Sequence, residues 1–303
     1  MHLGNVYAFL VAWAHARKLG TVLRLRMDDL DGRCQNKDIQ QQLLKDLTWL
    51  GIDWDGDVAW QSKRIELYEE VWHELQKTDL LYPCFCSRAD LHAASAPHAS
   101  DGTPIYAGTC KNLTEQEIAE KSKNKHPAWR IKVPNKTLTF NDEIFGLQSQ
   151  NLETESGDFI LRRSDGVFAY QFCNAIDDLT MGITEIVRGC DLLSSVCREL
   201  WLIDILCHPE GAKQVEGTSC KENQLTFAHI PMFVNTSHQR LAKRDKSLDL
   251  GAMQKLGMRS CDIIGEIAHL IGITEKEEPL STKEFLSHFN IDALKSKQEI
   301  VVE

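Results

Sequence analysis

The stretch HLGNVYAFLVAWAHARKLGTVLRLRMDDLD, residues 2–31, decides the fold. From Val6 to Leu19 apolar side chains recur at helical intervals, and Gly20 stands where a helix usually ends. From Thr21 to Met27 apolar or branched residues alternate with arginine, the two-residue period of a strand. The acidic run Asp28-Asp29-Leu30-Asp31 follows at the C-terminal end of that strand, the end at which ligands gather in open α/β sheets.

Outward from this unit, the pattern predicts helices over 38–50 and 64–78, with Gly51 and Asp55-Gly56 marking the turns. The alternation is that of a doubly wound, Rossmann-type α/β domain. Between Pro83 and Pro134 it breaks into Cys-, His-, Ser- and Gly-rich sequence with a short helix near 114–123 and a strand at 129–133, which reads as an insertion. Strand signals resume at 159–161, 167–170 and 185–189, followed by a helix through 191–206. Residues 208–226 are polar and read as a surface loop, and helical patterns near 259–271 and 281–288 read as a small C-terminal helical subdomain. The division is therefore 1–82 for the first half of the catalytic-type domain, 83–134 for the insertion, 135–250 for the second half and 251–303 for the helical tail.

A chain of 303 residues with 43% hydrophobic composition can bury a sizeable core. Its net charge of −10 excludes a protein that coats nucleic acid indiscriminately, a mode that needs many Lys and Arg contacts to phosphate. Local basic segments, Arg162-Arg163 and Arg240 to Lys246, can still meet phosphates on an acidic surface. No apolar run approaches the roughly 20 residues that span a bilayer, and the first residues do not read as a secretory signal, so a cytoplasmic protein without membrane partners is expected. The ten cysteines are scattered through apolar segments and read as buried thiols, except for Cys84, Cys86 and Cys110. Two thiols bracketing one residue and met by a third after a loop suit a tetrahedral structural zinc site, for which a fourth ligand is needed.

His2-Leu3-Gly4-Asn5 sits at a helix start, where backbone N–H groups and the helix dipole favour phosphate; Gly4 permits close approach and His2 can donate to a phosphate oxygen. Taken alone it is also what an ordinary N-terminus looks like. Far downstream, Arg240-Leu241-Ala242-Lys243-Arg244-Asp245 is a basic loop in which Lys243 could neutralise charge on a phosphoryl group, or a solvated charge run.

In this order the two segments resemble the paired signature motifs of class I aminoacyl-tRNA synthetases, written HIGH and KMSKS. Arg26-Met27-Asp28-Asp29-Leu30-Asp31, the run Arg162 to Gln171, and Asp177-Asp178 followed by Gly182 to Gly189 resemble the glutamate type more narrowly, over about residues 2–250. The resemblance implies that His2, Gly4, Asn5, Lys243 and Arg244 bind ATP, with His2 and Lys243 catalytic. It also implies that Asp28 meets the amino group of L-glutamate while Tyr170 and Arg188 contact the amino acid. An Arg fork binds a carboxylate bidentately and an acidic side chain pairs with an ammonium; an ion pair with a neighbouring acid is the structural alternative for Arg188. Mg²⁺ is expected with ATP, and one zinc per chain held by Cys84, Cys86, Tyr106 and Cys110, with His92 and His98 as competing ligands.

About 60 residues follow Lys243, where discriminating glutamyl-tRNA synthetases carry a much longer anticodon-binding region. The chain therefore resembles the glutamyl-queuosine tRNA(Asp) synthetase branch. Members of that branch activate glutamate with ATP and transfer it to queuosine in the anticodon of tRNA(Asp), here as a monomer. A fragment of a conventional glutamyl-tRNA synthetase and an inactive tRNA-binding relative are the alternatives. Three departures stand out: Asp28 where the family has Glu, Ala242 where it has Ser, and Met1 where its first strand should precede His2, from which an internal methionine start is expected.

Overall fold

The structure, a computed structural model, describes residues 1–91, 105–208, 225–239, 249–295 and 297–302. Helix α1 (Leu3–Leu19) ends as its sequence predicts, Gly20 taking the left-handed conformation at φ 67°. Strand β1 (Arg26–Met27) is much shorter than predicted. Asp55 holds the extended residues before Arg26, its carboxylate accepting from the Leu23 N–H at 2.8 Å and its own N–H donating to the Leu23 carbonyl at 2.8 Å. Helix α2 (Lys37–Leu50) is capped by Asn36 and closed by Gly51; β2 (Ala59–Trp60) pairs parallel with β1, and α3 (Ile65–Leu75) comes next.

The middle of the chain holds β3 (Leu81–Cys84), α4 (Arg88–Leu91), α5 (Glu115–Ser122), β4 (Ala128–Ile131), β5 (Thr137–Asp142), β6 (Gly146–Asn151) and β7 (Phe159–Arg162). After it come α6 (Tyr170–Thr180), β8 (Glu185–Gly189), α7 (Val196–Cys207), β9 (Thr226–Ile230) and β10 (Met232–Val234). The tail contributes α8 (Leu250–Lys255), α9 (Ser260–Leu270), α10 (Thr282–His288) and β11 (Glu299–Val301). Strands β3, β4 and β7 form an antiparallel sheet, and β8 and β9 pair in parallel beside β5 and β6. Among the described residues the parallel strands thus lie in separate sheets, where a single doubly wound sheet was predicted. The architecture is α/β.

Two apolar cores organise these elements. The first packs α1 and α2 against β9, β10 and the tail, with the Tyr7 ring stacked on Phe233 at 4.4 Å. Ile263, Ile264, Ile267 and Phe285 of α9 and α10 belong to this core, so the tail helices share it. The second core joins α3, α6 and α7 to β4 and β7 around Trp72, Phe168 and Phe172. Buried polar bonds bridge the two: Arg26 reaches Asp178, and Gln61 reaches Asn174 and Asp177. No helix of the described residues is long and apolar enough to cross a membrane.

Candidate active site and cysteine cluster

Tyr170 was predicted at the end of a strand; it opens α6 instead. The turn after β7 returns the chain for a single bridge, Arg162 with Phe168, and the Ala169 carbonyl then accepts from Phe172 and Cys173 as a helix start does. Tyr170 stays 39% exposed, so a ligand can reach it. Burial pushes its phenol up to about 12 against the opposing pull of Arg188, with Glu199 and Asp28 also raising it. Arg188 and Asp28 thus lie close enough to Tyr170 to act on its hydroxyl.

Arg26 leaves β1 and donates from Nε to Asp28 at 2.7 Å and from Nη1 to Asp178 at 3.1 Å. Burial works against its charge, but Asp28, Asp178 and Asp177 outweigh it and raise the guanidinium above its ordinary value. Asp178 answers in the other direction: burial raises its carboxyl to about 6 although Arg26 pulls it down. Asp177 is fully buried and receives Arg64 Nε at 2.7 Å, Tyr68 OH at 2.8 Å and Gln61 Nε2 at 3.0 Å. Donors on these three sides fix its carboxylate, which makes it a scaffold beneath the pocket.

Arg188 on β8 does not present an open fork. Its Nη1 and Nη2 donate to Glu199 of α7 at 3.1 and 2.7 Å, and its Nε donates to His229 of β9 at 3.1 Å. His229 is fully buried, with Nδ1 2.7 Å from the buried Asp142 carboxylate. Because Nε2 accepts from Arg188, the ring carries its proton on Nδ1 and donates it to Asp142. The ion pair weighed as the alternative for Arg188 is thus present, to a partner that motif spacing does not name. Glu199, His229 and Asp142 escape the sequence reading as a unit. The one available signal is a charged pair, Arg198-Glu199, inside an otherwise apolar helical run.

His2 caps α1: its Nδ1 accepts from the Asn5 N–H at 3.3 Å, and the Asn5 side chain returns a bond to the His2 N–H. The Asn5 N–H is therefore engaged locally. A Cβ at position 4 would lie 3.2 Å from the His2 ring, so Gly4 gives that ring its place. Helix α1 runs antiparallel to β8, since Tyr7 feels Cys190 just past the end of β8 and His15 bonds Glu185 at its start. The His2 end of α1 therefore lies toward the Cys190 end of β8. His2 also bridges Asp249, and Leu250 N donates to the Met1 carbonyl at 2.7 Å, so the residues following the basic segment 240–248 lie beside the helix start. Lys243 and Arg244 themselves lie outside the described residues, as do His92 and His98.

Cys84, Cys86, Cys110 and Tyr106 converge. Cys86 Sγ is 3.7 Å from Cys110 Sγ, and the Tyr106 hydroxyl is 3.5 Å from Cys84 Sγ and 3.7 Å from Cys86 Sγ. A tetrahedral ion with sulfur bonds of about 2.3 Å sets its sulfurs about 3.8 Å apart, a spacing that Cys86 and Cys110 match, and all three sulfurs lie within 4.8 Å of one another. The Cys110 N–H points at the Tyr106 oxygen from 2.7 Å, a donor suited to a phenolate. The Arg130 guanidinium lies 3.8 Å over the Tyr106 ring and holds it in place. Gly157, at φ +66°, makes room for this segment: a Cβ there would lie 2.8 Å from Ile105 Cγ2.

The sequence matches the family of class I tRNA synthetases (E and Q), catalytic domain, over residues 1–303, and the chain belongs to that family. Within it, the chain is 38% identical over 294 residues to the Glutamyl-Q tRNA(Asp) synthetase of Nitratidesulfovibrio vulgaris, covering 94% of this chain and 86% of that protein. It is 37% identical to the protein of the same name from Symbiobacterium thermophilum, over 96% of this chain and 89% of the relative. Among solved structures, it resembles a glutamate tRNA ligase from Elizabethkingia meningosepticum in complex with its amino acid, with a TM-score of 0.75 at 23% identity. That likeness covers 99% of this chain and 64% of the ligase, and it carries the fold alone.

Proposed function

We propose that the chain activates L-glutamate with ATP and transfers it to queuosine in the anticodon of tRNA(Asp). The supporting observation is that Arg188 and Asp28 lie close enough to Tyr170 to act on its hydroxyl. Relatives of the same family, matched over nearly their whole length, bear the name of that reaction. In this reading Asp28 receives the substrate ammonium, Arg188 meets its side-chain carboxylate, and Tyr170 fixes its orientation. His2, Gly4 and Asn5 meet the triphosphate from the helix start, and Lys243 and Arg244 from the basic segment.

The α-carboxylate attacks the α-phosphorus in line and pyrophosphate leaves, so the chain's work is positioning and charge stabilisation, with no protein nucleophile. Mg²⁺, bound with ATP, would neutralise the phosphate oxygens. Cys84, Cys86, Cys110 and Tyr106 would hold one zinc, whose role is structural because four protein ligands leave no open position. The test is transfer of labelled glutamate to tRNA(Asp) with and without queuosine. Label retained only on the queuosine-containing tRNA is the expected result, and charging of tRNA(Glu) at its 3′ end would overturn it.

A further inference from the structure

In the proposed pocket Arg188 is the partner for the substrate's side-chain carboxylate, yet its fork is already taken. Nη1 and Nη2 each donate to one Glu199 oxygen, Nε donates to His229, and Nη2 also reaches the Leu192 carbonyl at 3.4 Å. A guanidinium has five N–H donors, so a newcomer finds one remaining donor on Nη1. The pair is buried, with the Glu199 side chain 2% and the Arg188 side chain 12% exposed. His229 and Asp142 anchor Arg188 from the sheet side. Room for a substrate carboxylate on this fork therefore comes from Glu199.

The geometry points to Glu199 as a specificity-determining residue that competes with the substrate's side-chain carboxylate for Arg188. The inference rests on the pocket reading above. Around Tyr170, the guanidinium groups of Arg26 and Arg188 are met by the carboxylates of Asp28, Asp178 and Glu199. An acidic amino acid brings a further side-chain carboxylate into this set, next to Glu199, and like charges in a desolvated site repel strongly. An amino acid with a neutral amide side chain does not need the fork and escapes the repulsion. Glu199 thus holds down the affinity for acidic side chains, and affinity and charge selectivity are set by an exchange of partners on one guanidinium.

The experiment measures L-glutamate and L-glutamine binding by titration calorimetry, with kcat and KM from glutamate-dependent ATP–pyrophosphate exchange, on the full chain and on Glu199→Gln. Removing the competing charge is expected to tighten glutamate binding about tenfold. The Kd for glutamine should change by less than about twofold, so the glutamate-to-glutamine preference shifts, a pattern that general damage to the fold cannot produce. Glu199→Asp, which withdraws the carboxylate by one methylene while keeping its charge, should tighten glutamate by an intermediate factor, and it serves if the amide variant does not fold. Glutamate binding that is unchanged or weaker in these variants would overturn the proposal, because Glu199 would then only hold Arg188 in place. Tyr170→Ala tests the underlying pocket separately: glutamate binding undiminished in that variant removes the pocket reading itself, whatever Glu199 does.

Discussion

Arg188→Ala is expected to cost stability as well as substrate. Truncation removes both donors to Glu199, at 3.1 and 2.7 Å, and the donor to His229 at 3.1 Å. It leaves Glu199, 2% exposed, as an uncompensated buried carboxylate. Breaking a buried pair in this way costs about 3–5 kcal/mol, most of it the penalty of the stranded charge. That is a large share of the roughly 5–15 kcal/mol by which a domain is stable. Glu199→Gln is milder, because an amide oxygen still accepts from Arg188, and its cost should be about 1–2 kcal/mol. The double variant Arg188→Ala/Glu199→Gln removes the stranded charge and should recover more than half of the single variant's loss. Urea unfolding of the four proteins, followed by intrinsic fluorescence, gives the cycle directly. An Arg188→Ala loss below about 1 kcal/mol, or a double variant no better than the single, would refute the reasoning, since the pair would then be solvated.

Metal analysis of the purified chain should find one zinc. Cys110→Ser should release most of it, whereas Tyr106→Phe should retain metal more weakly because three thiols remain within ligand distance of one another; a chain without zinc rejects the site. Asp178, raised to about 6 from 3.8, binds its proton more tightly folded than unfolded. Its contribution to stability must therefore fall as pH rises from about 4 to about 6, by about 3 kcal/mol across the window. The gap between the wild-type and Asp178→Asn unfolding midpoints should shift against the wild type over that range, and a constant gap disproves the assignment. Gly157→Ala should lose about 1–3 kcal/mol, from the left-handed backbone and the close approach to Ile105. The same variant should release zinc faster to a chelator, and a melting temperature equal to the parent's counts against this role.

The helices are the most legible part of the fold. Predicted over 38–50 and 64–78, they run from Lys37 to Leu50 and from Ile65 to Leu75, because apolar periodicity and glycine or capping residues act within a few residues of each other. Strand β8 likewise falls on its predicted residues, 185–189. Strand β1 is shorter than its pattern, since alternation in 21–27 is satisfied by any extended segment. Whether such a segment joins a ladder depends on a partner such as Asp55, distant in sequence. Tyr170 departs from its predicted strand for a related reason: its apolar run has strand character, and only the turn at Gly166 and the docking of Phe172 into the second core make the segment from Tyr170 onward helical. The tail reads as a separate subdomain because periodicity reports that a helix has an apolar face and not what covers it. Here the cover is α1 and α2.

The candidate site is legible as positions and illegible as chemistry. The family resemblance names Asp28, Tyr170 and Arg188, spacing names the cysteines, and the structure brings Cys84, Cys86 and Cys110 together. What spacing cannot say is which donor each charge already holds. Arg188 illustrates the gap: an arginine in a substrate motif and an arginine in a buried ion pair look the same along the chain, and only the structure shows that Arg188 holds the pair. The distinction matters because a guanidinium with Glu199 on its fork and His229 on its Nε is preorganised in position but not in charge. Position favours any ligand that reaches it, whereas the charge state decides which ligand gains by staying. In the proposed pocket an acidic amino acid would gain only as Glu199 yields, which would make selectivity a property of the pair and not of Arg188 alone.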